Sequence, residues 1–355
     1  MLVFFLVISS LCNAGKSHGG VIKTVIILYM FSTVLAAVIA VFASMAFPVK
    51  MTLANAATDT SAPQGIVEVL NNLLLNVVAN PVSSLVNANY VGILMWAVLL
   101  GLAFRAADKM TKKVLADVAD GISMVVTWII NLAPFGIFGL VFNTVSTNGL
   151  DIFTTYGKLL LLLVGCMLFI YFVTNPLLVY WCIRQNPYPL IFHCLKRSAL
   201  TAFFTRSSAA NIPVNMKVCE EMGLDRDTYS VTIPLGATIN MDGAAITITV
   251  MTMATAFTLG IHVDIPTAII LSLLAALSAC GASGVAGGSL LLIPMACSLS
   301  GITDDISMQV VAVGFIIGVV QDSVETALNS SSDLLLSASA EFRQWRLEGK
   351  EIKFK

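Results

Sequence analysis

Apolar runs of about twenty residues, long enough to cross a lipid bilayer, recur along the whole 355-residue chain. Hydrophobic residues make up 57% of the sequence and charged residues only 11%, against about 25% charged in an average soluble domain. The short alternating segments of a transmembrane barrel are not seen in the sequence. We therefore predict an all-α polytopic membrane protein embedded in a lipid bilayer.

The charge and cysteine content narrow the function classes further. A net charge of −1 provides no basic surface for nucleic acid. The seven cysteines form no CxxC pair and do not cluster with the three histidines, His18, His193 and His262. This pattern argues against a zinc site or a disulfide framework, so we expect thiols packed in or near membrane helices.

The C-terminal half contains two similar units in series. Each unit is a broken hairpin rich in small residues, at 198–222 and 266–298, followed by an apolar helix, at 228–259 and 305–340. We expect Gly236 and residues 240–243 to interrupt the first of these helices, and each arm of the second hairpin to be too short to cross a bilayer. Paired broken segments of this kind are typical of transporter sites built from inverted repeats. Non-helical backbone at membrane depth is tolerated only inside protein or along a cavity.

Polar side chains form a stripe along the second of these helices. Asp322, Glu325, Asn329 and Asp333 are three, four and four residues apart, which places them on one helix face at about 100° per residue. Asp242 lies in the other helix, and neither stretch contains Lys or Arg. Because a carboxylate at mid-membrane costs several kcal/mol, we expect a bound partner: a metal cation, a proton or a substrate amine.

The residue types suggest which partners these are. Asp242 and Asp333 are accompanied by Asn240 and Asn329, with the carbonyl of Gly236 close in sequence, and hard cations prefer such oxygen ligands. The hairpin tips, with their serines and backbone N–H groups, would suit a carboxylate. Two alternatives stay open: the acids could pair with other helices for packing, or they could carry protons, since clustered carboxyl groups can share one.

Other function classes fit less well. Residues 281–284 match the GxSG pattern of rhomboid-type membrane proteases, but a serine nucleophile needs a base within hydrogen-bond reach, and the histidines fall in connecting segments. A channel would need a continuous polar lining, whereas the polar groups concentrate in two broken units. We therefore predict that the protein is not an enzyme.

Three long motifs, at 206–213, 233–243 and 321–333, resemble the dicarboxylate/amino acid:cation symporter family, and within it the bacterial sodium-coupled serine/threonine symporters. The resemblance covers essentially the whole chain. It implies the glutamate-transporter-homologue fold, with two re-entrant hairpins, two unwound helices and inverted repeats. It also implies a homotrimer in the bacterial plasma (inner) membrane that imports serine and threonine with Na⁺ by an elevator-type movement.

The resemblance further implies a division of the chain. Residues 1–20 would be a partial N-terminal membrane helix of the scaffold, 21–48 a helix of the transport domain, and 49–150 the scaffold and trimerisation region. Residues 151–340 would complete the transport domain, and 341–355 would form a cytoplasmic tail. Compared with the family, we expect the first membrane helix to be missing and the second to be cut.

Carried over position by position, the resemblance assigns two sets of residues. The predicted substrate-binding residues are Ser207, Ser208, Gly284, Asp322, Glu325, Thr326 and Asn329, with Asp322 holding the substrate ammonium and Ala209 replacing a third serine. The predicted sodium ligands are Gly236, Thr238, Asn240, Asp242, Asn329, Asp333, Tyr29, Ser32 and Thr33.

One departure from the family bears on the substrate. Glu325 occupies the position where members that carry acidic substrates have an arginine. A carboxylate there should repel glutamate and aspartate. We therefore predict a sodium-coupled symporter for small neutral hydroxy amino acids, with a proton-coupled symporter of a small neutral amino or carboxylic acid as the alternative.

Overall fold

The computed structural model describes residues 4–5, 8–9, 12, 20–53, 75, 78–86, 90–131, 151–280 and 287–352. Every regular element in this part of the chain is helical, which confirms the predicted all-α class. Most of the predicted N-terminal helix at 1–20, much of the 49–150 region and Gly284 in the second hairpin lie outside the described residues. Within them, four helices are long and apolar enough to cross a membrane: Gly20–Ala46, Tyr156–Ile183, Arg226–Leu259 and Asp304–Leu347.

The α-helices before the first hairpin are α1 Gly20–Ala46, α2 Pro81–Val86, α3 Tyr90–Ala103, α4 Lys109–Asn131, α5 Asp151–Phe169 and α6 Asn175–Ile183. The remaining helices are α7 Tyr188–Cys194, α8 Leu200–Thr205, α9 Ser208–Glu221, α10 Arg226–Ile239, α11 Asp242–Leu259, α12 Ile265–Ala279, α13 Ile293–Leu299 and α14 Asp304–Leu347. Two π-helical turns, Ile170–Thr174 and Leu195–Ala199, join α5 to α6 and α7 to α8.

Helix α1 packs against α11 and α12. Its small residues Ala36, Ala37 and Ala40 are fully buried, and small side chains allow two membrane helices to approach closely. The opposite face exposes Ile27 and Phe31, 56% and 53% exposed. A helix with one buried and one exposed apolar face fits the edge of a bundle surrounded by lipid.

The predicted first hairpin, 198–222, follows on from a helical segment. Helix α7, which begins at Tyr188, continues through the second π turn into α8. The chain then breaks at Arg206, which has a φ of 50°, and Ser207 caps α9 by accepting a hydrogen bond from the Ala210 N–H at 3.2 Å. An exposed ion pair, Arg197–Glu221, joins the two arms.

Helices α10 and α11 form one span with a break at Asn240 and Met241. Both residues leave the helical region of backbone space, with φ and ψ of −96° and 82° for Asn240 and −121° and 51° for Met241. The break falls inside the predicted interruption at 240–243. Gly236, also predicted to interrupt the helix, instead lies within α10.

The arms of the second hairpin, α12 and α13, contain 15 and 7 residues. Both are shorter than the roughly 20 residues that a bilayer requires, as the sequence predicts. Asp264 caps α12 by accepting the Thr267 N–H at 3.0 Å. The hydrogen bonds from the Thr267 side chain and N–H lower the pKa of the Asp264 carboxyl.

Helix α14 is a single uninterrupted helix of 44 residues. It contains the predicted 305–340 helix, so only one of the two unwound helices that the resemblance implies is interrupted in the described structure. The helix also includes the first residues of the predicted 341–355 tail. Its C-terminal end is fastened to α6, because Arg346 Nε donates to the carbonyl of Cys182 at 3.1 Å and Arg343 lies 5.5 Å from the ring centre of Trp181.

The cysteines are all free, and all but the half-buried Cys280 are buried. This agrees with the expectation of thiols packed among membrane helices.

Candidate functional site

Asp242 is fully buried at the start of α11 and is held by two hydroxyl groups of α1. Ser32 Oγ donates to Asp242 Oδ2 at 2.7 Å, and Thr33 Oγ1 donates to Oδ1 at 3.2 Å. Among the described residues, the ion pairs are Arg197–Glu221 and Lys350–Glu348, neither of which involves a buried acid. Asp242 is therefore stabilised by neutral donors, which leaves its negative charge available to a cation.

Asn240 connects the helix break to α14. Its Nδ2 donates to Asp333 Oδ1 at 2.9 Å and to Ser332 Oγ at 2.8 Å. Its Oδ1 is buried without a hydrogen-bond partner in the described structure. An amide oxygen, a carboxylate and a hydroxyl thus converge at the break, which is a set of donors suited to a hard cation.

Tyr29 and Gly236 close the other side of Asp333. Tyr29 donates its hydroxyl hydrogen to the Asp333 carbonyl at 2.8 Å. A Cβ added to Gly236 would lie 2.8 Å from Asp333 Oδ1 and 2.9 Å from the Tyr29 hydroxyl. The Gly236 carbonyl accepts the Asn240 N–H at 2.9 Å, so the evident role of this glycine is to admit α14 at close range.

Asn329 binds the first turn of α11 from outside. Its Oδ1 accepts the Gly243 N–H at 2.7 Å, one of the N–H groups that the start of a helix leaves without a partner in its own chain segment. Thr238, another predicted sodium ligand, donates to the Leu235 carbonyl within α10 at 2.7 Å. The structure therefore brings together Asn240, Asp242, Asn329 and Asp333, with Ser32, Thr33 and Tyr29 beside them.

Glu325 is held by three donors on a single oxygen. Its Oε2 accepts hydrogen bonds from Thr247 at 2.7 Å, from Ser289 at 2.9 Å and from Gln321. Thr247 belongs to α11 and Ser289 to the second arm of the second hairpin, so the carboxylate joins three elements. These three donors could not be predicted from the sequence, because a single polar residue in an apolar stretch does not indicate which residue it will contact.

Asp322 contacts the second hairpin at Gly287 and is close to Arg206 of the first hairpin. Its Oδ1 accepts the Gly287 N–H at 3.3 Å, and the guanidinium charge of Arg206 acts on its carboxylate. The span 305–340 contains no Lys or Arg, so the positive charge near Asp322 comes from the first hairpin. The Asp322 side chain is buried, with 5% of its surface exposed.

Other predicted substrate residues lie at the start of α9 and on α14. Ser208 is 3% exposed as the first residue of α9, and Thr326 is 6% exposed on α14. Ser207 is occupied in capping α9. Gly284 belongs to the segment 281–286, outside the described residues, as does the GxSG pattern of the protease alternative.

A second polar network attaches the first hairpin to α14. Asn211 Nδ2 donates to Ser330 Oγ and Asn215 Nδ2 to the Ser330 carbonyl, both at 2.8 Å. All three residues are buried. The network fixes the first hairpin against α14, the helix that contains the acidic stripe. It was not predicted from the sequence.

These oxygens are suited to a particular kind of metal ion. Among the described residues, no group of three or more His, Cys, Asp or Glu side chains is placed to hold a metal. The carboxylates are instead surrounded by hydroxyl, amide and carbonyl oxygens. That chemistry favours a hard alkali cation over a transition metal.

Comparison with known proteins agrees with this chemistry. The profile of the sodium:dicarboxylate symporter family matches residues 1–341, and the chain belongs to that family. The protein is therefore a membrane transporter and not an enzyme. A relative from Bifidobacterium adolescentis, "Serine/threonine transporter SstT", is 59% identical over 353 residues, which cover 99% of this chain and 82% of the relative. These findings confirm the resemblance drawn from the three motifs.

Proposed function

We propose that this chain is a sodium-coupled symporter that imports serine and threonine. The family's name supports the coupling to sodium, and the name of the relative supports the substrate. The observation that carries the proposal is the pair of asparagine–aspartate positions, Asn240 with Asp242 and Asn329 with Asp333, which are buried together without an ion pair among the described residues.

The cation half of the site lies at the break between α10 and α11. Asp242 with Ser32 and Thr33, and Asp333 with Asn240, offer two groups of oxygens that would each bind Na⁺. Asn329 and the close approach at Gly236 keep α14 against the break. Thr238 and Tyr29 complete the proposed set.

The substrate half lies along α14 and the hairpin tips. Asp322 binds the substrate ammonium, displacing the weak hydrogen bond from Gly287 and competing with the charge of Arg206. Ser208, Ser207 and the N–H groups of the tips bind the substrate carboxylate, as helix N-termini favour anions. Gly284, Thr326 and Asn329 complete this set.

Glu325 would select the substrate side chain. Its Oε2 already accepts hydrogen from the hydroxyl groups of Thr247 and Ser289, which are the chemical groups that distinguish threonine and serine from other small amino acids. A substrate hydroxyl can therefore take the place of one of them. A substrate carboxylate would meet a like charge at the same position.

The transport movement follows from the proposed division of the chain. Residues 21–48 and 151–340 would form a transport domain that moves like an elevator against the 49–150 scaffold of a homotrimer in the bacterial plasma membrane. The two hairpins would be re-entrant and related, with their following helices, by inverted repeats. The second hairpin would act as the gate, since Ser289 and Gly287 attach its second arm to α14.

Uptake of radiolabelled serine by proteoliposomes tests the proposal. We expect an inward Na⁺ gradient to drive accumulation, and choline in place of Na⁺ to abolish it. Excess unlabelled threonine should compete, whereas aspartate should not. Equal uptake in choline and sodium would reject the coupling, and competition by aspartate would reject the substrate.

Proton coupling is the second candidate, because Asp322 and Glu325 lie three residues apart on one buried face of α14. Two acids at this spacing are neighbours and could share a proton. The same proteoliposomes distinguish the candidates: a proton-coupled carrier accumulates serine with an inward proton gradient and no sodium.

A further inference from the structure

Asn175 is a fully buried polar residue, 0% exposed, that the proposed function has not used. It follows the π turn Ile170–Thr174 and precedes Pro176. Proline removes one backbone N–H from the helix, and a π turn inserts an extra residue, an arrangement that is frequent at functional sites. The Asn175 side chain points towards α1, since its Oδ1 lies 3.4 Å from Ser32 Oγ.

The contacts of Asn175 lead to the cation half of the site. Ser32 Oγ lies 3.4 Å from Asn175 Oδ1 and 2.7 Å from Asp242 Oδ2. A serine hydroxyl has a single hydrogen, so it can donate fully to only one of these two acceptors. The shorter distance shows that Asp242, a charged acceptor, takes the hydrogen in this arrangement.

The amide of Asn175 is left incompletely paired. Its Nδ2 has no hydrogen-bond partner within the described structure, and an unpaired buried polar group costs free energy. A residue retained only for packing would gain from an apolar side chain of similar size. The Oδ1 of Asn175 is also weakly paired, because Asp242 takes the Ser32 hydrogen. It would gain a full hydrogen bond in a second state, in which another group occupies Asp242 and releases that hydrogen.

We propose that Asn175 is a positioning residue for the sodium ion at Asp242, an inference that rests on the proposed function. When the ion takes up the Asp242 carboxylate, the Ser32 hydroxyl turns its hydrogen to Asn175 Oδ1. The Ser32 oxygen is then free to ligate the ion. The hydrogen stays on its own oxygen throughout, so a bond rotates and no proton is transferred.

A double-mutant cycle tests this role directly. The variants are Asn175→Ala, Ser32→Ala and the double variant, and the readout is the Na⁺ concentration that gives half-maximal thermal stabilisation of the purified protein, without transport. Loss of one hydrogen bond should raise this concentration roughly two- to tenfold in Asn175→Ala. In the Ser32→Ala background the same change should have no further effect, because the hydroxyl that Asn175 receives is gone.

Thr33→Val provides the matched control background. Thr33 Oγ1 also lies against Asp242, 3.2 Å from the other carboxylate oxygen and 3.0 Å from the Tyr29 carbonyl. Because Thr33 is on the other carboxylate oxygen, Asn175→Ala should keep its full effect in this background. Asn175→Asp retains an acceptor oxygen and should bind Na⁺ at least as tightly as the parent. If Asn175→Ala does not fold, the Asn175→Asp variant alone decides the test. Weakened sodium binding by Asn175→Asp would then overturn the proposal.

The remaining outcomes separate the inference from the proposed function. A parent protein that is not stabilised by Na⁺ and shows no sodium-dependent uptake refutes the proposed function itself. A sodium-dependent parent whose Asn175→Ala variant keeps the same half-maximal concentration refutes only the inference. An equal effect of Asn175→Ala with and without Ser32 shows a merely structural role, and also refutes it.

Discussion

The two asparagine–aspartate pairs lie on helices of opposite kinds. Asn240 and Asp242 flank a break between α10 and α11, whereas Asn329 and Asp333 lie in the uninterrupted helix α14. The break frees backbone groups such as the Gly243 N–H, which then needs a partner from α14. The continuous helix supplies only side chains, whose positions are fixed by their spacing along it.

Because of this difference, the two halves of the proposed site depend on different structural features. The proposed cation half would depend on contacts between helices, because α1, α10, α11 and α14 each contribute groups to it. The proposed substrate-binding acids would depend on one helix, because Asp322 and Glu325 are placed by a single turn of α14. Changes in charge should therefore dominate on α14, while small changes in packing should matter at the break.

The largest expected effect is on α14, in Asp322→Asn. Removing one partner of a buried charge pair should weaken serine binding by about 2–5 kcal/mol, while the protein stays folded and inserted. Serine binding to the purified variant, with its melting temperature as the control, measures this. Near-normal affinity would mean that the ammonium binds elsewhere and that the continuous helix does not define the substrate half.

Next come Asp242→Asn and Asp333→Asn, one on each kind of helix. Each removes a charged oxygen ligand from a hard-cation site, so both should weaken sodium before they weaken serine. The measurement is the sodium concentration for half-maximal uptake at saturating serine. An unchanged sodium dependence in both variants would show that sodium does not bind at Asp242 and Asp333.

A smaller effect is expected from packing alone, in Gly236→Ala. The added Cβ would lie 2.8 Å from Asp333 Oδ1, so α14 must shift from the break and sodium affinity should fall severalfold. Gly318→Ala is the matched control, because a Cβ on this glycine of α14 meets no heavy atom within 4 Å. Equal behaviour of the two variants would show that close approach at the break is not required.

The smallest expected change is a gain of aspartate binding in Glu325→Arg. Arginine binds carboxylates through two parallel hydrogen bonds, so the swap replaces repulsion by attraction. The informative assay is aspartate binding to a purified and thermally stable variant, since loss of serine transport alone could reflect a damaged site. No gain over the parent would mean that Glu325 serves only to hold Thr247 and Ser289.

The acidic stripe and the helix break could be predicted because both are local patterns. The stripe follows from spacings of three and four residues in α14, and the break from the run of polar and small residues after Ile239. Gly236 shows the limit of such patterns. A glycine can interrupt a helix or admit a neighbour, and only the position of Asp333 and Tyr29 shows that it does the second.

The partners of the acids could not be predicted, because they are distant in sequence. Ser32 and Asp242 are 210 positions apart, and Thr247 and Glu325 are 78 apart. Asn175 precedes a proline in an apolar span, where the sequence indicates only a distorted helix. Helix packing decides which of the many single polar residues come into contact. The periodicity of the sequence carries no information about that packing.

The length of α14 has a mechanical consequence. Forty-four residues at 1.5 Å per residue make a rod of about 66 Å, roughly twice the thickness of the hydrocarbon layer. The rod has no joint between Asp322 and Arg346, and its far end is fastened to α6. Any displacement of Asp322 along the helix axis would thus be repeated at the Arg346 end, where a single fluorescent label could report it.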